Sequence, residues 1–459
     1  MPDASSTPIT DPSCRPRIVI IGGGFAGATA AKALERRLRS AEIHLLSAEN
    51  HLTYNPLLPE VVGASVLPGH VVAPLRQMVR RAKVHQVQVT GIDTDARCVQ
   101  FRNSSETSRL DYDHLVLACG SRANLHMIPG MAEHTLPLKT VGDALYLRNR
   151  VIARLEDAEL TENPTLRRWL KTFVVIGGGF SGVEVAGEIS DFLTESQRWY
   201  RQSQLEPARV VIVHGGPHLL PELPERLGRF TERKLSRHGG VEVRLGTRSE
   251  AIDAQGVTLN RGSRIDAGTI VSTIGTTANR LIDALPAEKQ RGRLRVEADM
   301  SVPGLPGVWA IGDCAAVPNS RADGAPCPPT AQFALRQGPQ LAANIARHER
   351  NEPTRAFGYQ PKGLMSAIGH NRAVARVFGI NLSGFIPWLL WRGFYLLYIP
   401  TLARKARLYL EWNWAMFFPP DIAHLRFTRT VEDSSDEVSQ DQGAQGVTER
   451  SPSPVAERD

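Results

Sequence analysis

The sequence contains two glycine-rich phrases whose spacing suits the binding of a dinucleotide. Both follow the pattern G-x-G-x-x-G, formed by Gly22, Gly24 and Gly27 in the first phrase and by Gly177, Gly179 and Gly182 in the second. In this pattern the first glycine permits a tight turn, the second lets the backbone approach a pyrophosphate, and the third lets a helix pack closely on a strand. One such match also occurs in purely structural turns. Two matches predict two dinucleotide sites, an arrangement suited to electron transfer between two cofactors.

Only the second phrase is followed at once by a carboxylate. Glu184 and Glu188 are four residues apart, which places them on one face of the helix that the phrase opens. One interpretation is that they are solvated, or stabilised by the positive helix N-terminus. Glu184, in the first turn, is the better functional candidate, because a carboxylate beside a nicotinamide can contact the ring amide or relay a proton.

A further carboxylate stands in the segment VWAIGDCA, where Asp313 follows Gly312. A carboxylate at the end of a strand is suited to accept hydrogen bonds from the hydroxyl groups of a polyol or ribityl chain. Beside the glycine phrases, Asp313 is therefore predicted to bind a cofactor.

Strands and helices must position these residues, and the hydrophobic pattern indicates both. Each glycine phrase follows an apolar run and opens a helical stretch, as in RIVIIGGGFAGATAAK and FVVIGGGFSGVEVAGE. The apolar runs AEIHLLSAE and ARVVIVHGG, one after each phrase, are typical of the next strand. The alternation of strand and helix predicts an α/β fold with two Rossmann-like dinucleotide-binding domains.

Length and charge limit the number of domains and the classes of binding partner. The 459 residues suffice for two or three domains. Residues 1–16, rich in proline, serine and threonine, are predicted to be a flexible leader, and the acidic stretch 430–459 a disordered tail. The whole chain has a net charge of +7, of which the acidic tail carries −6 and residues 1–429 carry +13. A basic body favours nucleic acid, anionic lipid or an acidic cofactor without choosing among them.

The five cysteines form no C-x-x-C pair, which indicates a reduced, intracellular protein without a disulfide framework. No metal site is predicted. The N-terminus lacks the apolar segment of a secretory signal. No uncharged apolar run reaches the ~18 residues that a membrane-spanning helix needs.

The order of these segments resembles that of flavoprotein reductases with two dinucleotide sites. The first glycine phrase, LVLACGS, the second phrase, IVSTIGT and GVWAIGD follow one another over about residues 17–345. Three stretches, 55–76, 328–338 and 362–400, resemble the type II NADH dehydrogenases, which are single-subunit NADH:quinone oxidoreductases. The third stretch discriminates best, because soluble reductases of this class end in a dimerisation domain of another pattern.

The resemblance implies an enzyme that passes a hydride from NAD(P)H to FAD and then two electrons to a membrane quinone, without pumping protons. FAD would be held by the first glycine phrase, Ser47, Gly312 and Asp313, and NAD(P)H by the second phrase, His214 and Gly275. Glu184 matches a family glutamate near the nicotinamide and the flavin. Gln332 matches a glutamine near the flavin and the quinone. These two are the predicted catalytic residues.

Three positions depart from the family pattern. Ser47 stands where an acid often holds the adenosine ribose of FAD, with Glu49 two residues later. His214 replaces an acid that would bind the ribose 2′-hydroxyl of NADH and repel a 2′-phosphate, so NADPH stays open. Arg336, followed by Gln337, stands where many members have a second glutamine.

The predicted organisation is a discontinuous FAD-binding domain, an inserted NAD(P)H-binding domain and a membrane-associating region at the C-terminal side. Their bounds are 17–138 with 290–355, 139–289, and 356–429.

The segment GFIPWLLWRGFYLLYIP, residues 384–400, is apolar around Arg392 and is followed by the cations Arg404, Lys405 and Arg407. Tryptophan and tyrosine interleaved with cations are typical of an amphipathic helix lying in the membrane interface. A buried helix or a dimer contact is the other interpretation. The resemblance favours docking on the cytoplasmic side of a membrane, with a homodimer left open.

Other functions stay in view. A soluble reductase of a small electron carrier is opposed by the aromatic C-terminal segment. A flavoprotein like apoptosis-inducing factor would bind nucleic acid. No nucleic-acid-binding motif is present, so nucleic acid is not expected to bind. A sulfide:quinone oxidoreductase would need reactive cysteines, whereas Cys119, Cys314 and Cys327 are predicted to be small buried residues at turns.

Overall fold

Two parallel five-stranded sheets lie behind the two glycine phrases. The computed structural model describes residues 15–103, 106–238 and 240–425. The first sheet has, in spatial order, Val308–Ala310, His114–Leu117, Arg17–Ile21, Glu42–Ser47 and Lys83–Gln86. The second has Leu136–Pro137, Thr269–Ser272, Thr172–Ile176, Arg209–Val213 and Val241–Arg244. In both, the central strand enters a glycine phrase, which confirms the predicted α/β fold with two Rossmann-like units.

The inner strands are buried along their whole length because helices and loops cover both faces of the sheets. Every residue of Thr172–Ile176 is buried, and so is every residue of His114–Leu117. Continuous burial of this kind is typical of parallel sheets, in contrast to the alternation of a half-exposed antiparallel strand.

The α-helices of the described residues cover these sheets and extend the C-terminal side. They are α1 Phe25–Arg37, α2 Leu58–Val62, α3 Leu75–Met78, α4 Met131–His134, α5 Val141–Leu160, α6 Pro164–Leu170, α7 Phe180–Ser196, α8 Glu225–His238, α9 Ala331–His348, α10 Phe385–Tyr398 and α11 Leu402–Trp414. α9 packs directly on α1, since a β-carbon at Gly338 would come within 2.7 Å of the Ala26 carbonyl oxygen. Glycine at 338 therefore allows α9 to start beside the first glycine turn.

Smaller sheets complete the fold; their strand pairs are antiparallel except that Arg293–Arg295 pairs in parallel with Ala315–Ala316. The three-stranded ones are Gln88–Asp93, Cys98–Arg102 and Thr107–Asp111; Ser249–Asp253, Gly256–Leu259 and Arg264–Asp266; and Gly363–Ala367, Ala373–Val377 and Ile380–Gly384. Short strands are His51–Thr53 with Val72–Pro74, Ser121–Ala123 with Thr276–Ala278, and Lys289–Gln290 with Arg293–Arg295 and Ala315–Ala316. We call the first parallel sheet with α1 the first module, and the second parallel sheet with α7 the second module.

The C-terminal helices fold back onto the first module. Trp391 of α10 and Trp412 of α11 are buried in the main hydrophobic core. The Tyr54 hydroxyl donates to the Tyr398 carbonyl oxygen at 2.8 Å. One face of these helices is thus part of the protein interior, and α10 continues unbroken through Arg392.

The described residues up to Ile422 form one compact unit, and a second unit starts at Ala423. The predicted tail 430–459 and most of the leader 1–16, including Cys14, lie outside the described residues. The predicted domain boundaries stay predictions. No helix in the described part of the chain combines the length and the apolar content needed to cross a membrane.

Candidate active site

A cavity of about 880 Å³, called the main cavity below, joins the two modules to α9 and α10. The predicted site residues that line it are Gly22, Gly24, Ser47, Glu184, Gly275, Gly312, Asp313 and Gln332. Gly27, Gly177, Gly179, Gly182 and His214 do not line it and belong to the glycine turns and their surroundings. The volume is within the usual range for cofactor and ligand sites.

The two glycine turns share one geometry. Gly22 and Gly177 have φ values of 112° and 117°, a region that side chains strongly disfavour. A β-carbon at Gly27 would lie 1.9 Å from the Gly22 carbonyl oxygen, and one at Gly182 would lie 1.9 Å from that of Gly177. The first and third glycines therefore serve the turn and the close packing of the helix, as the sequence pattern predicts.

The middle glycines face open space. No heavy atom lies within 4 Å of a β-carbon built at Gly24 or at Gly179. Each is the N-cap residue of its helix, and no side chain caps either helix. An anion can therefore approach the backbone N–H groups of the first turn in both places. The residues present fit the pyrophosphate of FAD at the first turn and that of a nicotinamide dinucleotide at the second.

Asp313 is held at the wall of the main cavity by a short chain of hydrogen bonds. The Ser121 hydroxyl donates to Asp313 Oδ2 at 2.9 Å, and Lys139 Nζ donates to Ser121 Oγ at 3.0 Å. The Gly312 N–H donates to Oε1 of Gln337 at 2.7 Å, and Gln337 is buried. Gln337 therefore supports the turn that carries Asp313 and does not replace the second family glutamine.

Ser47 ends its strand directly beneath the first glycine turn. Its Oγ lies 2.7 Å from a β-carbon built at Gly23, so the small side chain fits where the turn crosses the strand. Glu49 lines the main cavity and its side chain is 63% exposed. Ser47 has no carboxylate, so Glu49 supplies the carboxylate at this part of the main cavity wall.

Glu184 is a buried carboxyl group where α7 meets the C-terminal antiparallel sheet. Its Oε1 accepts hydrogen bonds from the Ser366 hydroxyl at 3.3 Å and from the Ala367 N–H at 3.2 Å. Burial raises the pKa of Glu184 well above its ordinary value, and the carboxyl groups of Glu60 and Glu188 raise it further. Glu184 therefore keeps its proton to a higher pH than an exposed glutamate and can hold that proton at the cavity wall.

Gln332 and Arg336 lie in the first turns of α9. Gln332 Nε2 donates to the Gly363 carbonyl oxygen at 3.2 Å, and its Oε1 accepts from the Tyr359 hydroxyl at 3.4 Å. The Arg336 guanidinium lies 4.3 Å from the Tyr359 ring centroid and donates to the Tyr398 hydroxyl at 3.2 Å. Arg336 thus connects α9 to α10 beside Gln332.

His214 follows the strand Arg209–Val213 in the second module. Its Nδ1 accepts from the Gly178 N–H at 3.2 Å. Burial lowers the pKa of His214, so the ring is neutral at neutral pH. Its Nε2 is buried and has no partner among the described residues. The strand end where an acidic residue would select NADH over NADPH therefore carries the uncharged imidazole ring of His214.

Residues 16–343 match the pyridine nucleotide-disulphide oxidoreductase family. The type II NADH:quinone oxidoreductase Ndh of Mycobacterium tuberculosis is 33% identical over 426 residues, covering 88% of this chain and 89% of that protein. The demethylphylloquinone reductase NdbB of Synechocystis is 32% identical, covering 87% of this chain and 96% of that protein. The chain belongs to the type II NADH:quinone oxidoreductases.

The fold of the enzyme also has a close counterpart among solved structures. The structure of NDH2 from Plasmodium falciparum in complex with NADH superposes with a TM-score of 0.82, covering 89% of this chain and 100% of that one. The sequence identity is 19%, so this likeness concerns the fold alone.

The structure adds cavity residues that the sequence analysis missed. Lys139 lines the main cavity beside the Ser121–Asp313 pair, and Phe394 and Tyr395 line it from α10. Lys139 had no motif around it. The two aromatic rings belong to the stretch 384–400, whose composition was interpreted as a membrane contact. The spacing Trp388, Trp391 and Tyr395 was the available signal, since it places three rings on one helix face.

The second glycine turn offers a matched pair of substitutions. Gly182→Ala places a methyl group against the Gly177 carbonyl oxygen and is expected to lower stability by about 1–3 kcal/mol. Gly179→Ala points into open space, so it is expected to leave the melting temperature nearly unchanged while raising the KM for NADH. Thermal unfolding of the FAD-loaded protein and steady-state kinetics measure both. Equal losses of stability in the two variants would contradict the assignment.

Proposed function

We propose that the protein is a peripheral membrane enzyme that transfers two electrons from NADH through FAD to a membrane quinone and pumps no protons. The observation that carries this proposal is the main cavity. Residues from the first glycine turn, from α7, from the start of α9 and from α10 all line it. Such a cavity lets a flavin, a nicotinamide and a quinone be held next to one another.

When bound, FAD supplies the acceptance of a hydride and the onward transfer of two electrons. The chain supplies binding and orientation. Gly22, Gly24 and Asp313 would hold FAD, within a domain formed by 17–138 and 290–355. The second glycine turn would hold NADH, within 139–289. Gln332 and the rings of α10 would line the quinone end of the site.

Glu184 supplies the acid–base chemistry in this proposal. Reduction of a quinone by NADH takes up one proton: NADH + H⁺ + quinone → NAD⁺ + quinol. A carboxyl group that is buried, hydrogen-bonded and raised in pKa is suited to hold that proton at the cavity wall.

Glu184→Gln keeps the size and the hydrogen-bond acceptor of the protonated carboxyl group but cannot exchange a proton. We expect FAD content and stability to be retained and quinone reductase turnover to fall by about tenfold or more. Flavin absorbance and steady-state rates measure these outcomes. An unchanged turnover number would refute the role of Glu184.

His214 bears on the choice between NADH and NADPH. A neutral ring does not repel a 2′-phosphate, whereas a carboxylate does. We expect His214→Glu to lower kcat/KM for NADPH relative to NADH by roughly tenfold, and His214→Gln to leave the ratio almost unchanged. Kinetics with both nucleotides give the ratio, and identical ratios in the two variants would count against this function of position 214.

The outer face of the C-terminal helices supports docking on a membrane. The large exposed apolar and aromatic residues of α10 and α11 are Phe385, Ile386, Leu389, Leu390, Leu397, Tyr398, Leu402, Tyr409, Leu410 and Trp414. Arg407 is exposed beside them, whereas Arg404 is tied to the Gly69 and Val72 carbonyl oxygens. An apolar face of this extent, with tryptophan, tyrosine and a cation, suits the lipid interface.

Leu389→Glu combined with Leu397→Glu removes two apolar side chains from this face without touching the core. We expect binding to anionic lipid vesicles to fall at least about tenfold, because each buried leucine contributes roughly 1.5–3 kcal/mol. Ferricyanide reduction should be unaffected. Leu160→Glu, at an 84% exposed position on α5, is the control. Sedimentation with vesicles tests this, and equal binding of the double variant and the control would rule out docking through α10.

The alternatives are separated by one set of assays. NADH and NADPH are each tested with ubiquinone and menaquinone analogues and with ferricyanide. Ferricyanide reduction without quinone reduction would favour a soluble carrier as the acceptor. Cysteine chemistry has little support: Cys314 and Cys327 are buried, and Cys314 donates to the Leu117 and Ile311 carbonyl oxygens. Docking on the cytoplasmic side is part of this proposal, nucleic-acid binding is not, and the proposal leaves a homodimer open.

A further inference from the structure

A chain of hydrogen bonds leads from α7 to a second cavity. Glu188 lies one helical turn after Glu184 on α7, and it is buried against Gly63. The Ser65 hydroxyl donates to Glu188 Oε2 at 3.1 Å. His370 Nε2 lies 3.0 Å from Ser65 Oγ, and His370 Nδ1 lies 2.9 Å from Glu195 Oε1. Two carboxyl groups, a hydroxyl and an imidazole thus form a connected series.

The series ends at a partly exposed carboxyl group in the wall of a second cavity. A cavity of about 490 Å³ is lined by Glu195, His370 and Arg392 together with residues 415–419. The Glu195 side chain is 36% exposed, whereas Glu188 is 5% exposed. Burial therefore increases step by step from Glu195 inward to Glu188.

The protonation state of His370 determines which groups donate and which accept in this series. His370 can donate to Glu195 and to Ser65 at once only when both ring nitrogens carry protons. Burial alone lowers the pKa of His370, but the hydrogen bond to Glu195 and the charges of Glu188 and Asp191 outweigh it and raise the pKa to about 9. At neutral pH the ring is doubly protonated, so Nε2–H points to Ser65 and the serine hydroxyl points to Glu188.

The groups around His370 hold this arrangement. On α7, Asp191 Oδ2 accepts from the backbone N–H of His370 at 2.6 Å, and Asp191 also pairs with Arg372. Arg392 of α10 and Glu60 of α2 face the same cluster; Arg392 Nε has no partner among the described residues, and Glu60 accepts from Trp412 Nε1 at 2.8 Å. Burial raises the pKa of Glu188, against the positive charge of His370. Glu188 therefore keeps its proton to a higher pH than an exposed glutamate does.

We propose that Glu195, His370, Ser65 and Glu188 form a relay that carries a proton from the second cavity to Glu184. The proposal rests on the proposed function. A quinone needs two electrons and two protons to become a quinol; the hydride of NADH brings two electrons and one proton, and the relay brings the other proton from water. Glu188 and Glu184 have β-carbons about 5–6 Å apart, as i and i+4 residues of one helix. Rotation of either side chain, or one water molecule, completes the transfer.

The proposal predicts that a variant that interrupts the relay slows only one of the two half-reactions. Flavin reduction by NADH needs the hydride alone, whereas reoxidation by quinone needs the solvent proton. In Ser65→Ala and His370→Gln, rapid-mixing absorbance should show flavin reduction within about twofold of the unmodified enzyme, and reoxidation by a soluble quinone slowed about tenfold or more. Thr194→Ala is the control, because Thr194 lines the same cavity while its hydroxyl donates within α7 to the Ser190 carbonyl oxygen.

Small proton carriers separate transfer from support of the fold. In His370→Ala the second cavity has room for imidazole, so added imidazole should restore reoxidation. In Ser65→Ala the break lies further inward, and imidazole should have no effect. Equal slowing of both half-reactions, or unchanged reoxidation in Ser65→Ala, would overturn the relay. Failure of the unmodified enzyme to reduce quinone would instead overturn the proposed function.

A measurement without turnover tests the connection itself. Carbon-13 NMR of labelled histidine, with His370→Gln to assign the signal, should show His370 titrating near pH 9. Glu188→Gln should lower that value, because the Glu188 charge no longer stabilises the imidazolium. Titration of His370 at the ordinary histidine value of about 6.5, with no change in Glu188→Gln, would show that the series does not exist.

Discussion

The close approach of each glycine-phrase helix to its own strand is the constraint on which the rest of the molecule depends. A β-carbon at the third glycine would lie 1.9 Å from a carbonyl oxygen, so only glycine lets the helix begin where it does. This position leaves the middle glycine facing open space and directs the first N–H groups of α1 and α7 outward. The same packing occurs in both modules, whose four corresponding strands follow one order, and residues next to both glycine turns line the main cavity.

The place where α7 begins also determines where its two carboxyl groups lie. Its first turn belongs to the nucleotide turn, and its next two turns carry Glu184 and Glu188 into the interior. Burial there favours the neutral carboxyl groups, and the few hydrogen bonds to each of them do not offset the loss of water. A helix that must start at the phosphates thus also places proton-holding groups beside the cavity.

The C-terminal helices have two apolar faces with different partners. One face carries Trp388, Trp391 and Trp412 into the core and surrounds Arg392, whose guanidinium lies 3.8 Å from the Trp388 ring centroid. The other face carries leucines that are exposed to solvent. Sequence composition predicted an interfacial helix or a buried one; in the structure these helices are buried on one face and exposed on the other. α10 therefore links the surface to the main cavity through Phe394 and Tyr395.

The sequence by itself determined the two Rossmann-like modules, the turn and packing roles of their first and third glycines, and the family, because these depend on spacing within short stretches that form local turns and helices. Only the tertiary structure decided that Gln337 supports the Gly312 turn, that Lys139 and Tyr395 reach the cavity, and that Ser65 and His370 connect Glu188 to Glu195. These partners lie far apart along the chain. Their meeting depends on how sheets and helices pack, and no local pattern of residue types records that packing.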